Sequence, residues 1–440
     1  MQPFLFLISL LFSLSAQAGL TPEMREALEN RLTLNLPGDD YAIASDYDAA
    51  GNVYVTGITL GTFSGQTSSG DYDCFLAKYN STGTLQWARQ FGSSVLDVCT
   101  GIAVDAVATP NVYVTGFTAG ALSGQTSLGG TDVFIVRYVS STGTLNLTRQ
   151  FGTSANDYAY GAAHDTSNRP TIVGSTRGSF SGFTNAGNLD VFLYQMNTNG
   201  TARWTQQFGT TRDEEGLAIS VDTSNRFFIT GYTGGTLNGT HAGSFDAFVA
   251  RYSGTGVQSW IRQFGTTGTE IGIGIGAIAS SGISNIVGTT DGTFSGQTNY
   301  GEDDYFVARY ALNGSQTWVT QHGTSASDAA LGANSDTSGN VYIAGRTNGS
   351  FSGFTNAGGS DAFIARHSST GALSWRQQIG TSQDDLFSGI SASTTGISYP
   401  VGATMGVYSG QTDLGEEDAI ACRYTNAGVS SWLRQFGTSL

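Results

Sequence analysis

The chain has 440 residues and carries 34 acidic against 19 basic side chains, a net charge of −15. Nucleic-acid backbones and anionic membranes select basic surfaces, so this balance argues against both as partners. Its 61 glycines follow no Gly-X-Y period, which excludes a collagen-like fold, and with abundant Ser, Thr, Tyr and Phe they suit short strands and tight turns.

Residues 1–18 read as a secretory signal peptide. The apolar run 4–14 is too short to span a bilayer, and Ala16-Gln17-Ala18 forms a small-residue cleavage site. The expected location is therefore secreted, extracellular or periplasmic. Residues 19–38 come next. Their stretch TPEMREALENRL predicts a short amphipathic helix with Thr21 as N-cap and Pro22 at its first position. The stretch LTLNL at 32–36 is positioned to pair at a seam. No later segment is long and apolar enough to cross a membrane as a helix.

From 39 to 440 the sequence repeats. The anchor Trp-x-Arg-Gln-Phe-Gly recurs at Trp87, Leu147, Trp204, Trp260, Trp318, Trp375 and Trp432, at intervals of 56 to 60 residues. Each period holds four strand-like pieces, shown in the second copy by GIAVD (101–105), NVYVTG (111–116), DVFIVRY (132–138) and the anchor itself. Turns reading DAAGN (48–52) or Thr82-Gly83 separate them, and a longer loop such as GTFSGQT (61–67) joins the second piece to the third. No helical period appears. The expected fold is all-β: a seven-bladed β-propeller of four-stranded antiparallel blades, with the short N-terminal helix beside it. Counted from Tyr41, the seven blades are complete without a borrowed strand.

The Asp-x-Phe, Arg-Tyr, Thr-Gly and Trp-x-Arg-Gln-Phe-Gly residues together resemble the seven-bladed β-propeller repeat family of bacterial exported proteins. That resemblance implies a fold and no common chemistry. The Thr-Gly-x-x-x-Trp spacing also resembles the tryptophan-docking pattern of pyrroloquinoline quinone dehydrogenases, but no cofactor-binding signature accompanies it.

Three sets of residues stand out. The anchor tryptophans Trp87, Trp204, Trp260, Trp318, Trp375 and Trp432 are expected to pack blade against blade. The aspartates Asp73, Asp132, Asp190, Asp246, Asp304, Asp361 and Asp418 precede the third strand in every copy and are expected to cap turns. The acids Asp97, Asp157, Glu214, Glu270, Asp328 and Asp385, with Asp39 as a shifted equivalent, follow the anchor. They are expected in the loops between blades, either bonding the loop backbone or forming an acidic face for Ca²⁺ or a hydroxyl-rich or cationic ligand.

No cofactor is implied beyond that Ca²⁺. The four histidines share no metal-ligand spacing, and Cys74, Cys99 and Cys422 leave at least one cysteine unpaired. The leading expectation is an exported, non-enzymatic binding or scaffold protein for a glycan, protein or divalent cation. One alternative is an enzyme (hydrolase, lyase or quinoprotein-like) using irregular loops at 164–170, 212–215 or 270–276. The other is a structural subunit of an extracellular assembly.

Overall fold

The computed structural model describes residues 40–107, 110–279 and 281–438. The signal peptide, the N-terminal helix, the 32–36 segment and Asp39 lie outside the described residues.

The 28 described strands form seven sheets, each of four consecutive antiparallel strands. The blades cover 40–91, 97–151, 157–208, 214–264, 270–322, 328–379 and 385–436. Among the described residues no blade borrows a strand from another, as the sequence count from Tyr41 implies. The first strand of each blade lines a central channel, and successive first strands lie side by side around it. A register shift recurs where the first strand pairs with the second, as between Cys99 and Gly101 or Ala330 and Gly332. Such a bulge bends the strand. It also sets small residues where neighbouring inner strands crowd together: a Cβ on Gly332 would stand 3.0 Å from the Gly389 Cα.

The second and third strands are buried on both faces because each sheet is sandwiched between two neighbours. Val53, Val55, Phe75 and Ala77 of blade 1 pack with Tyr399, Val401 and Ala421 of blade 7. The same arrangement repeats around the ring.

The anchor tryptophans lock neighbouring blades at the outer strand. Each indole lies on the glycine of the next blade's last turn, and its Nε1 donates to a carbonyl of that turn. Trp87 donates to Ser140 (3.1 Å), Trp260 to Leu312 (2.9 Å) and Trp375 to Asn426 (2.9 Å). Gly83, at φ +76°, leaves its open side to Trp432, whose ring would be 2.8 Å from a Cβ there. Trp432 also donates to the Ser81 carbonyl at 3.2 Å. Ring closure between blades 7 and 1 thus uses the same joint as the other tryptophan-bearing pairs. Leu147 fills the equivalent place against Gly200 without an indole donor.

Cys74 and Cys99 form a disulfide joining the third strand of blade 1 to the first strand of blade 2, and Cys422 is free and buried. Asp48 caps its turn by accepting from the Ala50 and Asn52 amides, as the Asp-x-x-Gly-Asn pattern suggests.

Candidate functional site

One rim of the ring carries the loops that enter each first strand together with the long loops between second and third strands. The post-anchor acids all lie here, but they point inward. Asp97, Asp157, Glu214, Glu270, Asp328 and Asp385 are each 0% exposed. Each begins its blade's first strand and folds back on the loop before it. Asp97 accepts from the Ser93 amide (2.5 Å), and Asp157 from the Thr153 amide (2.6 Å). Glu214, Glu270, Asp328 and Asp385 accept likewise from the amides of Thr210, Thr266, Thr324 and Thr381. In blade 1 this place belongs to Asp40, which accepts from the Thr438 amide at 2.6 Å and so ties the last blade to the first.

The aspartates before the third strand are equally hidden and cap the long loops. Asp73 accepts from the Ser69 amide (2.8 Å), and the others repeat that bond four residues back: Asp132, Asp190, Asp246, Asp304, Asp361 and Asp418. A partner not singled out from sequence is the anchor glutamine. Gln90 Nε2 donates to Asp73 and to the Gly61 carbonyl, both at 2.9 Å, while its Oε1 accepts from the Phe63 amide. Gln150, Gln207, Gln263, Gln321, Gln378 and Gln435 also donate to their aspartates. Invariance of this glutamine across all seven anchors was the available signal.

Six of the seven seams, at Gly92, Gly152, Gly209, Gly265, Gly323 and Gly437, thus set two carboxyl groups beside one anchor glycine. A Cβ on Gly92 would fall 2.2 Å from Asp73 Oδ1 and 2.7 Å from Asp97 Oδ2, so those oxygens lie within about 5 Å of each other. Desolvation raises the pKa of Asp97, Asp157, Glu214, Glu270, Asp328 and Asp385, and hydrogen bonds from threonine, serine and loop amides partly offset it. Asp40 is pushed up to about 7, chiefly by burial, with Asp418 adding to it.

What the rim exposes is polar and uncharged in the main. Ser64 and Thr67, Ser123 and Thr126, Ser181 and Thr184, Ser295 and Thr298, Ser352 and Thr355, and Ser409 and Thr412 are exposed at matching places in six long loops. Asn238 takes the serine position in the seventh. A few acids, among them Asp71, Asp291, Glu302, Asp413 and Glu416, are exposed between them.

The irregular segments do not converge. Residues 164–170 turn at the opposite rim, 212–215 belong to the loop rim, and 270–276 lie within an inner strand rather than a loop. The channel itself encloses about 690 Å³. Asp46 and His164 line its wall and grip Val104 from two sides. Asp46 accepts from the Val104 amide, and His164 Nε2 lies 2.7 Å from the Val104 carbonyl. Burial pushes Asp46 up to about 6. Among the described residues, no three His, Cys, Asp or Glu side chains gather as a metal-binding group, and no helix is long and apolar enough to cross a membrane.

No family model matches the chain, and no curated protein sequence matches it. Solved structures with a similar outline include the β-propeller domain of the Trilobed protease from Pyrococcus furiosus, at 8% identity and TM-score 0.46, covering 87% of this chain and 93% of that one. The Dos1 propeller matches at 10% identity and TM-score 0.44, covering 90% and 85%. The gluconolactonase XC5397 from Xanthomonas campestris matches at 11% identity and TM-score 0.39, covering 83% and 94%. Likeness at this level does not transfer an activity. The seven-bladed architecture stands on the strands themselves.

Proposed function

We propose that this protein is an exported, non-enzymatic propeller that binds or scaffolds a glycan or protein partner through its loop rim. The observation that carries this reading is the ring of equivalent exposed Ser and Thr hydroxyls on the long loops. Near-identical weak sites held at fixed spacing on a rigid ring gain avidity when a partner is itself repetitive. The acids expected to form the ligand face serve the blade seams instead, so recognition falls to hydroxyl, amide and glycine surfaces. The signal-like residues 1–18 and the Cys74–Cys99 disulfide support export, because such bonds persist in oxidising compartments.

A retention assay on immobilised polysaccharides and on surface proteins of the source cell tests this. The wild type should be retained. Replacing Ser64, Thr67, Ser295 and Thr298 with alanine should weaken retention without changing the melting temperature. Equal retention of both forms, or none by either, removes the reading. The enzyme alternative keeps one favouring observation, the unlike pair Asp46 and His164 in the channel wall.

A further inference from the structure

The bulge in each first strand has a second effect. It leaves one residue without a cross-strand partner: Ile43, Thr100, Tyr160, Leu217, Ile273, Leu331 and Ser388 in blades 1 to 7. A bulge re-aims the side chain it frees, and all seven line the channel. They mark its inner end, because the lining begins at these residues and continues to the turns at the rim opposite the long loops. Five of the seven are large and apolar. The hydroxyls of Thr100 and Ser388 are turned away, donating to the Ala159 and Ala42 carbonyls at 2.8 and 2.6 Å. Ile43, Ile273 and Leu331 pack in one cluster with Tyr41, Val98, Ala329 and Leu386, which are 2–7% exposed and close the end toward the loop rim. The channel is thus a blind cup with an apolar floor.

The walls above that floor carry no free charge. Asp46 and His164 hold the Val104 backbone. Asp165 and Asp222 are paired with Arg169 and Arg226, and Asp336 accepts from Asn340 and Tyr342. What the walls offer is main chain. Each first strand is an end strand of its sheet, and its open edge pairs with no other strand among the described residues. Its amide and carbonyl groups therefore face the cup as hydrogen-bonding sites.

We propose that this cup is a binding site for a small uncharged ring compound carrying hydroxyl or carbonyl groups. Its volume of about 690 Å³ lies within the ~300–1,000 Å³ of small-molecule pockets. An apolar ring body covers Ile43, Leu217, Ile273 and Leu331 and removes them from water. Polar substituents at its margin bond the open strand edges, which a bare alkyl chain would leave unpaired. A charged ligand loses hydration against a floor that returns nothing for it. The cup opens at the rim opposite the long loops, so it is independent of what the loop rim binds.

The test is fluorescence titration and equilibrium dialysis of the full chain with 2-naphthol, and with naphthalene-2-sulfonate as a charged analogue of the same body. The wild type should bind one 2-naphthol per chain saturably, and the sulfonate about tenfold more weakly, as desolvating its charge requires. Thr100 and Ser388 already occupy the bulge in blades 2 and 7, so Ile43→Thr with Ile273→Thr suits the fold. That pair should weaken 2-naphthol binding about tenfold, the scale of two lost methylene contacts. If it fails to fold, Leu217→Thr with Leu331→Thr carries the same expectation. Alanine at Ser64, Thr67, Ser295 and Thr298 should leave binding unchanged, and a loss there would place the probe on the loop rim and overturn the proposal. So would the absence of saturable 2-naphthol binding, equal affinity for the sulfonate, or unchanged affinity in a folded floor variant.

Discussion

Replacing Trp432 with alanine tests whether the tryptophan joint closes the ring. Trp432 is 9% exposed, packed in the core between blades 7 and 1, and donates to the Ser81 carbonyl. Burying an indole removes roughly 150–250 Å² from water, or about 4–6 kcal/mol at ~25 cal/mol per Å². The hydrogen bond adds about 1 kcal/mol. Alanine recovers part of the transfer term and the turn at Gly83 relaxes, so a net loss of about 3–5 kcal/mol is expected. Guanidinium unfolding, followed by fluorescence of the remaining tryptophans, measures it through the shift in midpoint at constant slope. A loss below ~1 kcal/mol, the scale of an ordinary surface substitution, would refute the joint as the element that closes blade 7 on blade 1.

Further outcomes follow from the departures from the repeat. Leu147→Trp should stabilise the chain by about 1 kcal/mol, the scale of one added hydrogen bond with its packing, since Gly200 already presents the docking surface; the same unfolding assay reads it. His322 and His367 occupy the Phe and Tyr places of other copies, with ring centroids 4.8 Å apart. Burial lowers their pKa values to about 4 and about 3. The unfolded chain therefore binds protons first as pH falls, and stability is lost from about pH 6.5 downward. The variant His322→Phe with His367→Tyr should flatten that acid limb in melting curves between pH 4 and pH 7, whereas an unchanged limb would place its origin elsewhere. Asp40 acts in the opposite sense. Its pKa is raised to about 7, so its contribution is full below pH ~4 and lost as pH rises through 7. Asp40→Asn should remove that slope.

The blades were legible because the anchor, the Asp-x-Phe pair and the turn glycines recur in register, and a repeated unit can bury its sheet faces only against copies of itself. The first acid was placed one residue early, at Asp39, because no complete anchor precedes it to set the count; Asp40 holds the position. Position along the chain located the acids on one rim but left their direction undetermined. The residues that turn them inward were nonetheless in the sequence: the anchor glycine that leaves room for two carboxylates, and the threonine ending each second strand, such as Thr233 beside Glu214. Cysteine pairing depended on the distance between blades 1 and 2, which spacing along the chain does not determine.

Carboxyl labelling of the native protein, read residue by residue by mass spectrometry, most directly tests whether the repeated acids build the seams. Asp97, Asp157, Glu214, Glu270, Asp328 and Asp385 should stay unmodified while Asp71, Asp291, Glu302, Asp413 and Glu416 react. Labelling of the seam acids as fast as the loop acids would contradict the account and return them to the surface as a ligand-binding face.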